Sequence, residues 1–234
     1  MQPTYLPWLG YFDLIDQSDA LIFLDNVQFE KQSWQQRNRI RTSKGLETLT
    51  IPSLTKGKSH QLINEVRINY SSNFAKRHLR SLEMNYHRAT YLENYFPEFQ
   101  KIMTSGMTSL FELNISLIQW LSSVIGIQAH FMRSSKLEGE GKRSSLLVDL
   151  CKKVGMKHYL STNGAKDYLI SEYSTFSDAG IDVWLHNYEH PEYRQVYSPF
   201  MPYASVIDLL FNEGERSLEI IRSGRRKSLR LTGN

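Results

Sequence analysis

Residues 1–19, MQPTYLPWLGYFDLIDQSD, decide how the fold begins, because two prolines, two tyrosines and a tryptophan surround one glycine before any helix can start. Pro3 and Pro7 fix their own φ and push Gln2 and Leu6 toward extended backbone, so residues 2–7 form a stiff loop. Gly10 then permits a tight turn, or the close approach of a ligand, at the entrance to a helix over Tyr11–Gln17. A helix entrance of this kind exposes unpaired N–H groups and the positive end of a dipole, which favours an anionic group. On this reading Gln2, Tyr5, Trp8, Gly10 and Tyr11 shape a donor pocket. The alternative is a hydrophobic plug, with Tyr5, Trp8 and Phe12 in the core.

Working outward, ALIFL (20–24) is a continuous apolar run that predicts a strand buried on both faces and ending at Asp25. In open α/β sheets the carboxyl edge faces the ligand crevice, which makes Asp25 a candidate catalytic carboxylate. Residues 37–42 and 46–51 flank Ser43-Lys44-Gly45 as a β-hairpin, and EVRIN (65–69) predicts another strand. Phe74, His78, Leu82 and Tyr86 then fall on one stripe of a helix capped by Ser71 or Ser72. A second helix fits Thr108–Ile125 and stops at Gly126. Residues 127–132 return to strand, 144–154 to a helix ended by Gly155, and 158–160 to strand. This alternation predicts a Rossmann-like α/β fold with a mostly parallel sheet. Residues 1–220 form one domain with a helical section at 71–125, and 221–234 a basic tail.

With 234 residues, 41% of them hydrophobic, the chain can bury a substantial core. Its net charge of +4 is concentrated at the end, in Arg222, Arg225, Arg226, Lys227 and Arg230, with no acid after Glu219. Without that tail the chain is nearly neutral, so no stable nucleic-acid complex is expected. A weak contact with an anionic membrane surface stays open, against the commoner reading of a frayed, solvated end. The lone Cys151 sits on an apolar helix face with no disulfide partner, which makes a cytoplasmic, reducing location the default. The apolar stretch 110–127 carries Glu112, Asn114 and Gln119 and reads as a buried helix, not a membrane span.

Two further segments carry candidate chemistry. NVQFEKQSWQQRNR (26–39) places Gln28, Trp34, Arg37 and Asn38 beside the proposed crevice, where amides and a guanidinium fix hydroxyls or phosphates and an indole stacks on a sugar or base. In HYLSTNGAKDYL (158–169), Asn163-Gly164 is a turn signal, and Lys166 beside it can hold an anion or simply face solvent. In VWLHNYEHPEYRQ (183–195), His186 and His190 cluster with Tyr188 and Tyr193. Asp208 lies one turn into a helix that Ser205 caps, so His190 with Asp208 is the candidate acid/base pair, set against the commoner role of a packed histidine. No metal-ligand spacing, serine-nucleophile elbow, Walker A or dinucleotide glycine pattern is present.

QPTYLPWLGYFDLIDQSD, FLDNVQFEKQSWQQRNRIRT, YLSTNGAKDYL, HPEYRQ and SVIDLLFNEG together resemble the WbqC-like protein family, over residues 2 to about 215. The resemblance implies surface polysaccharide (O-antigen, lipopolysaccharide) biosynthesis and a glycyl, other aminoacyl or acyl transferase acting on a nucleotide-linked amino sugar. It adds Tyr193 and Gln195, from HPEYRQ, to the substrate-binding residues and leaves the cofactor unknown. It also implies a short strand before Gln2, so that Met1 is expected to be a late start or an internal methionine. The entry segment is similar, too, to the His-x-Gly-His slot of nucleotidylyltransferases, here Trp8-Leu9-Gly10-Tyr11 with both histidines replaced. A non-catalytic sugar-nucleotide-binding protein is the third reading.

Overall fold

A computed structural model describes residues 1–232. The stiff loop of residues 2–7 leads into α1 (Leu9–Asp16), followed by β1 (Ala20–Phe23) and the hairpin β2 (Arg37–Thr42) and β3 (Gly45–Thr50). The hairpin loop is shorter than expected, since Thr42 already pairs with Gly45, whose φ of +120° suits glycine. Three helices follow, α2 (Phe74–Tyr86), α3 (Leu92–Met103) and α4 (Leu110–Ile125), the last capped by the Ser109 side chain and ended by a left-handed Gly126. The predicted α2 stripe of Phe74, His78, Leu82 and Tyr86 is buried throughout. Residues 65–69 are not a strand: Val66 and Ile68 are buried, but the segment makes only isolated bridges, Ser53 to Ile68 and Arg67 to Ser109.

The second half contributes β4 (His130–Arg133), α5 (Ser144–Lys153), β5 (His158–Ser161), α6 (Lys166–Ser171), α7 (Tyr173–Ser177) and β6 (Asp182–Tyr188). The chain then runs through α8 (Val206–Glu213) and α9 (Ser217–Ser223) to β7 (Arg225–Arg230). The fold is mixed α/β, with strands in three small sheets: β1 parallel to β4, the β2–β3 hairpin, and β5–β6–β7, in which β5 is parallel and β7 antiparallel to β6. A single mostly parallel sheet is therefore not what the described residues form. One large core joins α1, α2, α3, α4, α8 and α9, and a smaller one lies under β5–β7 around Leu169, Phe176 and Val183. No helix among the described residues is long and apolar enough to cross a membrane.

Between the parallel pairs lies a cleft of about 860 Å³, with Ala20 and Ile22 of β1 and His158 and Leu160 of β5 among its walls. Backbone parity explains why this space is polar at its edges. β4 takes the carbonyls of Asp19 and Phe23, whereas Met1 bonds on the other edge of β1, its amine to the Ile22 carbonyl at 2.6 Å and its carbonyl to the Leu24 N–H at 3.0 Å. Met1 is thus one rung of a parallel ladder, and burial pushes its ammonium down to about 5.

The basic end is not a frayed tail. β7 pairs with β6, and four of the five cations find carboxylates within the protein: Arg222 and Arg225 with Asp16, Arg225 also with Asp13 at 2.8 Å, Arg226 with Glu189, and Arg230 with Asp182. Asp13 is fully buried and also lies 2.7 Å from His186 Nε2 and 2.6 Å from Gln17 Nε2. Arg225→Gln removes the fixed cation beside this carboxylate. It is expected to cost about 3 kcal/mol and to lower Tm by roughly 6–12 °C; an unchanged melting curve would show β7 to be an ornament.

Candidate functional site

Trp8 stands immediately before α1, and its indole lies across the helix entrance that Gly10 opens. A Cβ at Gly10 would meet the Trp8 ring at 2.4–2.9 Å, so the glycine makes room for the protein's own indole and not for a ligand, as first expected. Around that ring the polypeptide gathers side chains from the distant HNYEH and PYASV segments: Tyr188 at 5.6 Å between ring centroids, Tyr203 at 5.7 Å and His190 stacked at 6.1 Å. The backbone fixes this meeting, because Trp8 bridges Ser205 and the Val206 N–H donates to the Pro7 carbonyl at 2.8 Å.

His190 is the chemically open member of the group. Its Nδ1 lies 2.9 Å from the Pro191 carbonyl, which can only accept, so Nδ1 carries the proton and Nε2 the lone pair. That Nε2 is buried and has no partner among the described residues, and neither has the Tyr188 hydroxyl. Burial lowers the His190 pKa, against the opposing pull of the Pro191 carbonyl, and keeps the ring neutral near pH 7. A neutral imidazole with a free Nε2 is a base or a hydrogen-bond acceptor in waiting.

Asp208 is not its partner, which corrects the expected pair. The carboxylate is fully buried and accepts from Tyr86 Oη and Tyr193 Oη at 2.7 Å each and from Gln195 Nε2 at 2.8 Å. Desolvation raises its pKa, while these three donors pull the other way. Its role is to hold the 193–203 loop against α2 and α8, and through Tyr193, stacked 6.2 Å from His190, to hold the imidazole. Gln195 completes the loop by bonding both the N–H and the carbonyl of Met201.

The remaining candidates fall in separate places. Tyr5 is core: its hydroxyl lies 2.9 Å from His78 Nδ1, on an imidazole that burial pushes down to about 4, and Asn38 donates to the Tyr5 carbonyl. Asp25 is buried at the ends of β1 and β4 and accepts from Ser134 Oγ and the Ser135 N–H, both at 2.9 Å, which makes it a tie between strands and not an open acid. Gln2, Tyr11 and Trp34 line the cleft, where Tyr11 donates to the Gln2 carbonyl and Gln35 to the Gln2 side chain. Gln28 borders a separate shallow depression with Lys31 and His60. Lys166 is exposed at the start of α6 and is not among the cleft-lining residues, although Gly164 and Ala165 are. Arg37 is half-buried on β2. No cluster of three or more metal-ligating side chains occurs among the described residues.

These motifs are those of one family. The WbqC-like protein family matches residues 2–220, and the chain belongs to it. An uncharacterized protein of Mycobacterium tuberculosis (strain ATCC 25618 / H37Rv), Rv1507c, is 34% identical over 224 residues, covering 95% of this chain and 96% of that one. No solved structure matches.

Sequence reading missed Tyr203 and the Asp13–His186–Arg225 cluster, whose partners are far apart along the chain. Gly10→Ala tests the geometry at Trp8. Helix propensity alone favours alanine by about 1 kcal/mol, whereas displacing a packed indole costs about 1–3 kcal/mol. The variant is expected to lose stability and to change the near-ultraviolet circular dichroism of Trp8; a gain in stability with an unchanged spectrum would place the ring elsewhere.

Proposed function

We propose that the protein is an acyl or aminoacyl (glycyl) transferase acting on a nucleotide-linked amino sugar in surface polysaccharide (O-antigen) biosynthesis, in the cytoplasm. The single observation that carries the reading is the neutral His190, its Nε2 free, set in an aromatic wall of Trp8, Tyr188 and Tyr203. Aromatic rings pack against the apolar face of a sugar, and an unpaired imidazole nitrogen accepts from a hydroxyl or an ammonium. In the proposed step His190 Nε2 takes a proton from the attacking sugar ammonium and the freed amine attacks the acyl carbon. An amide C–N bond forms as the bond from that carbon to its leaving group breaks, and the leaving group departs with the electron pair and takes up the second amine proton. Gln2, Trp34 and Thr162 border the cleft between the two parallel pairs. Nucleotidyl transfer is the weaker reading, because the space where a second histidine would act beside Gly10 is filled by the Trp8 indole.

Mass spectrometry of a nucleotide amino sugar incubated with the protein, an amino acid and a nucleoside triphosphate is expected to show an added aminoacyl mass. His190→Gln should lower that turnover by about 10²–10⁴-fold while affinity for the sugar nucleotide changes little. Tight binding with no added mass from the wild-type protein, or full turnover by His190→Gln, would overturn the assignment.

A further inference from the structure

One face of β2 carries a row of arginines, Arg37 and Arg39 half-buried and Arg41 buried. Arg37, Arg39 and Arg41 alternate with the buried Asn38, Ile40 and Thr42, and so share one face of the hairpin. Across the ladder they stand opposite Thr50, Thr48 and Leu46. The face therefore presents the half-buried Arg37 and Arg39 opposite two threonine hydroxyls, with the buried Arg41 at its end and no carboxylate at a facing ladder position. Among the described residues, the arginines that form ion pairs lie elsewhere, between 133 and 143 and between 216 and 230.

Two of these cations are also incompletely satisfied. Arg41 is buried and donates to the carbonyls of Thr42 and Pro199, yet its Nε has no partner among the described residues, and neither has the buried Nε of Arg39. Arg41 already feels the buried Asp208 carboxylate, whereas Arg37 and Arg39 form no ion pair among the described residues; like charges on one face repel and a buried donor without an acceptor is unfavourable, so an anion beside Arg37 and Arg39 completes the arrangement. Arg39 already lies over the Trp34 ring, 5.3 Å from its centroid, while 49% of Trp34 remains exposed. An indole held by a guanidinium on one side keeps its other side for a planar group.

We propose that Arg37 and Arg39, with Arg41 behind them and Trp34 beside them, form a subsite for the diphosphate of a nucleoside diphosphate. Side chains two apart on a strand start about 7 Å from one another, a spacing that lets two planar donor forks grip two linked phosphoryl groups. The subsite adjoins the proposed sugar site, because Ser205 donates to the Arg39 carbonyl at 2.8 Å and bridges Trp8 on its other side. Two steps between neighbouring strands, each about 4.8 Å, put β2 about 10 Å from Trp8, which suits a sugar held near His190 and its diphosphate near Arg39. That placement rests on the transferase reading, whereas anion binding at Arg39 does not.

Isothermal calorimetry of the full chain with inorganic pyrophosphate and with uridine diphosphate tests the subsite. Binding is expected to weaken with added salt, to fall at least tenfold in Arg39→Ala, and to fall clearly in Arg39→Lys, which keeps the charge and loses the fork. Arg80→Ala, at an exposed arginine on α2, should leave affinity unaltered, and circular dichroism checks that each variant is folded. No binding by the wild-type protein, equal affinity in a folded Arg39→Ala or Arg39→Lys, or an equal loss in Arg80→Ala would overturn the proposal. Pyrophosphate binding that survives in a protein without transfer activity would overturn the transferase reading and leave this one standing.

Discussion

The buried carboxylate of Asp208 is the constraint on which the candidate site depends. A carboxylate removed from water is tolerated only when donors replace its hydration, and here Tyr86 supplies one from α2, while Tyr193 and Gln195 supply two from the loop that follows β6. Because one donor comes from α2 and two from the loop after β6, the carboxylate fixes the relative positions of the helical layer, the loop and α8. His190, three residues before Tyr193 and stacked on it, inherits that position. Asp208 is thus a positioning residue, not an acid.

A second buried carboxylate, Asp13, does related work on the other side of α1. It draws in His186 from β6, and Arg225 from the start of β7, so the sheet of β5–β7 is tied to α1 by charge as well as by packing. The same tie takes up the terminal cations, leaving less positive charge for a membrane surface than the composition suggests. Trp8 sits above this junction, with Tyr188 at its edge, which is why one aromatic cluster can report on both halves of the molecule.

Local pattern made much of this visible in advance. The apolar stripe of α2, the Gly126 stop of α4, the run of β1 and the hairpin around Ser43-Lys44 are each set by neighbours in sequence. α3 escaped because Pro97 lies inside it; the stripe of Leu92, Phe96, Phe99 and Met103 outweighs the lost hydrogen bond. β7 escaped for the opposite reason: RRKSLR has no apolar alternation, and it becomes a strand only because β6 and distant carboxylates receive it. The segments of the candidate site were legible, but the pairing within them was not. Asp208 and His190 are both near the predicted place, yet which donor reaches which acceptor is decided by long-range packing.

The central claim is that packing holds His190 neutral, with the proton on Nδ1 and a buried Nε2 left unpaired among the described residues. Nitrogen NMR of the imidazole side chains, recorded across pH and with a nucleotide amino sugar, reads that state directly. The account predicts a His190 ring protonated on Nδ1 alone at pH 7, titrating below the ordinary histidine range, with its Nε2 resonance shifting when the sugar nucleotide is added. A proton found on Nε2, or an Nε2 resonance that ignores a bound sugar nucleotide, would contradict it.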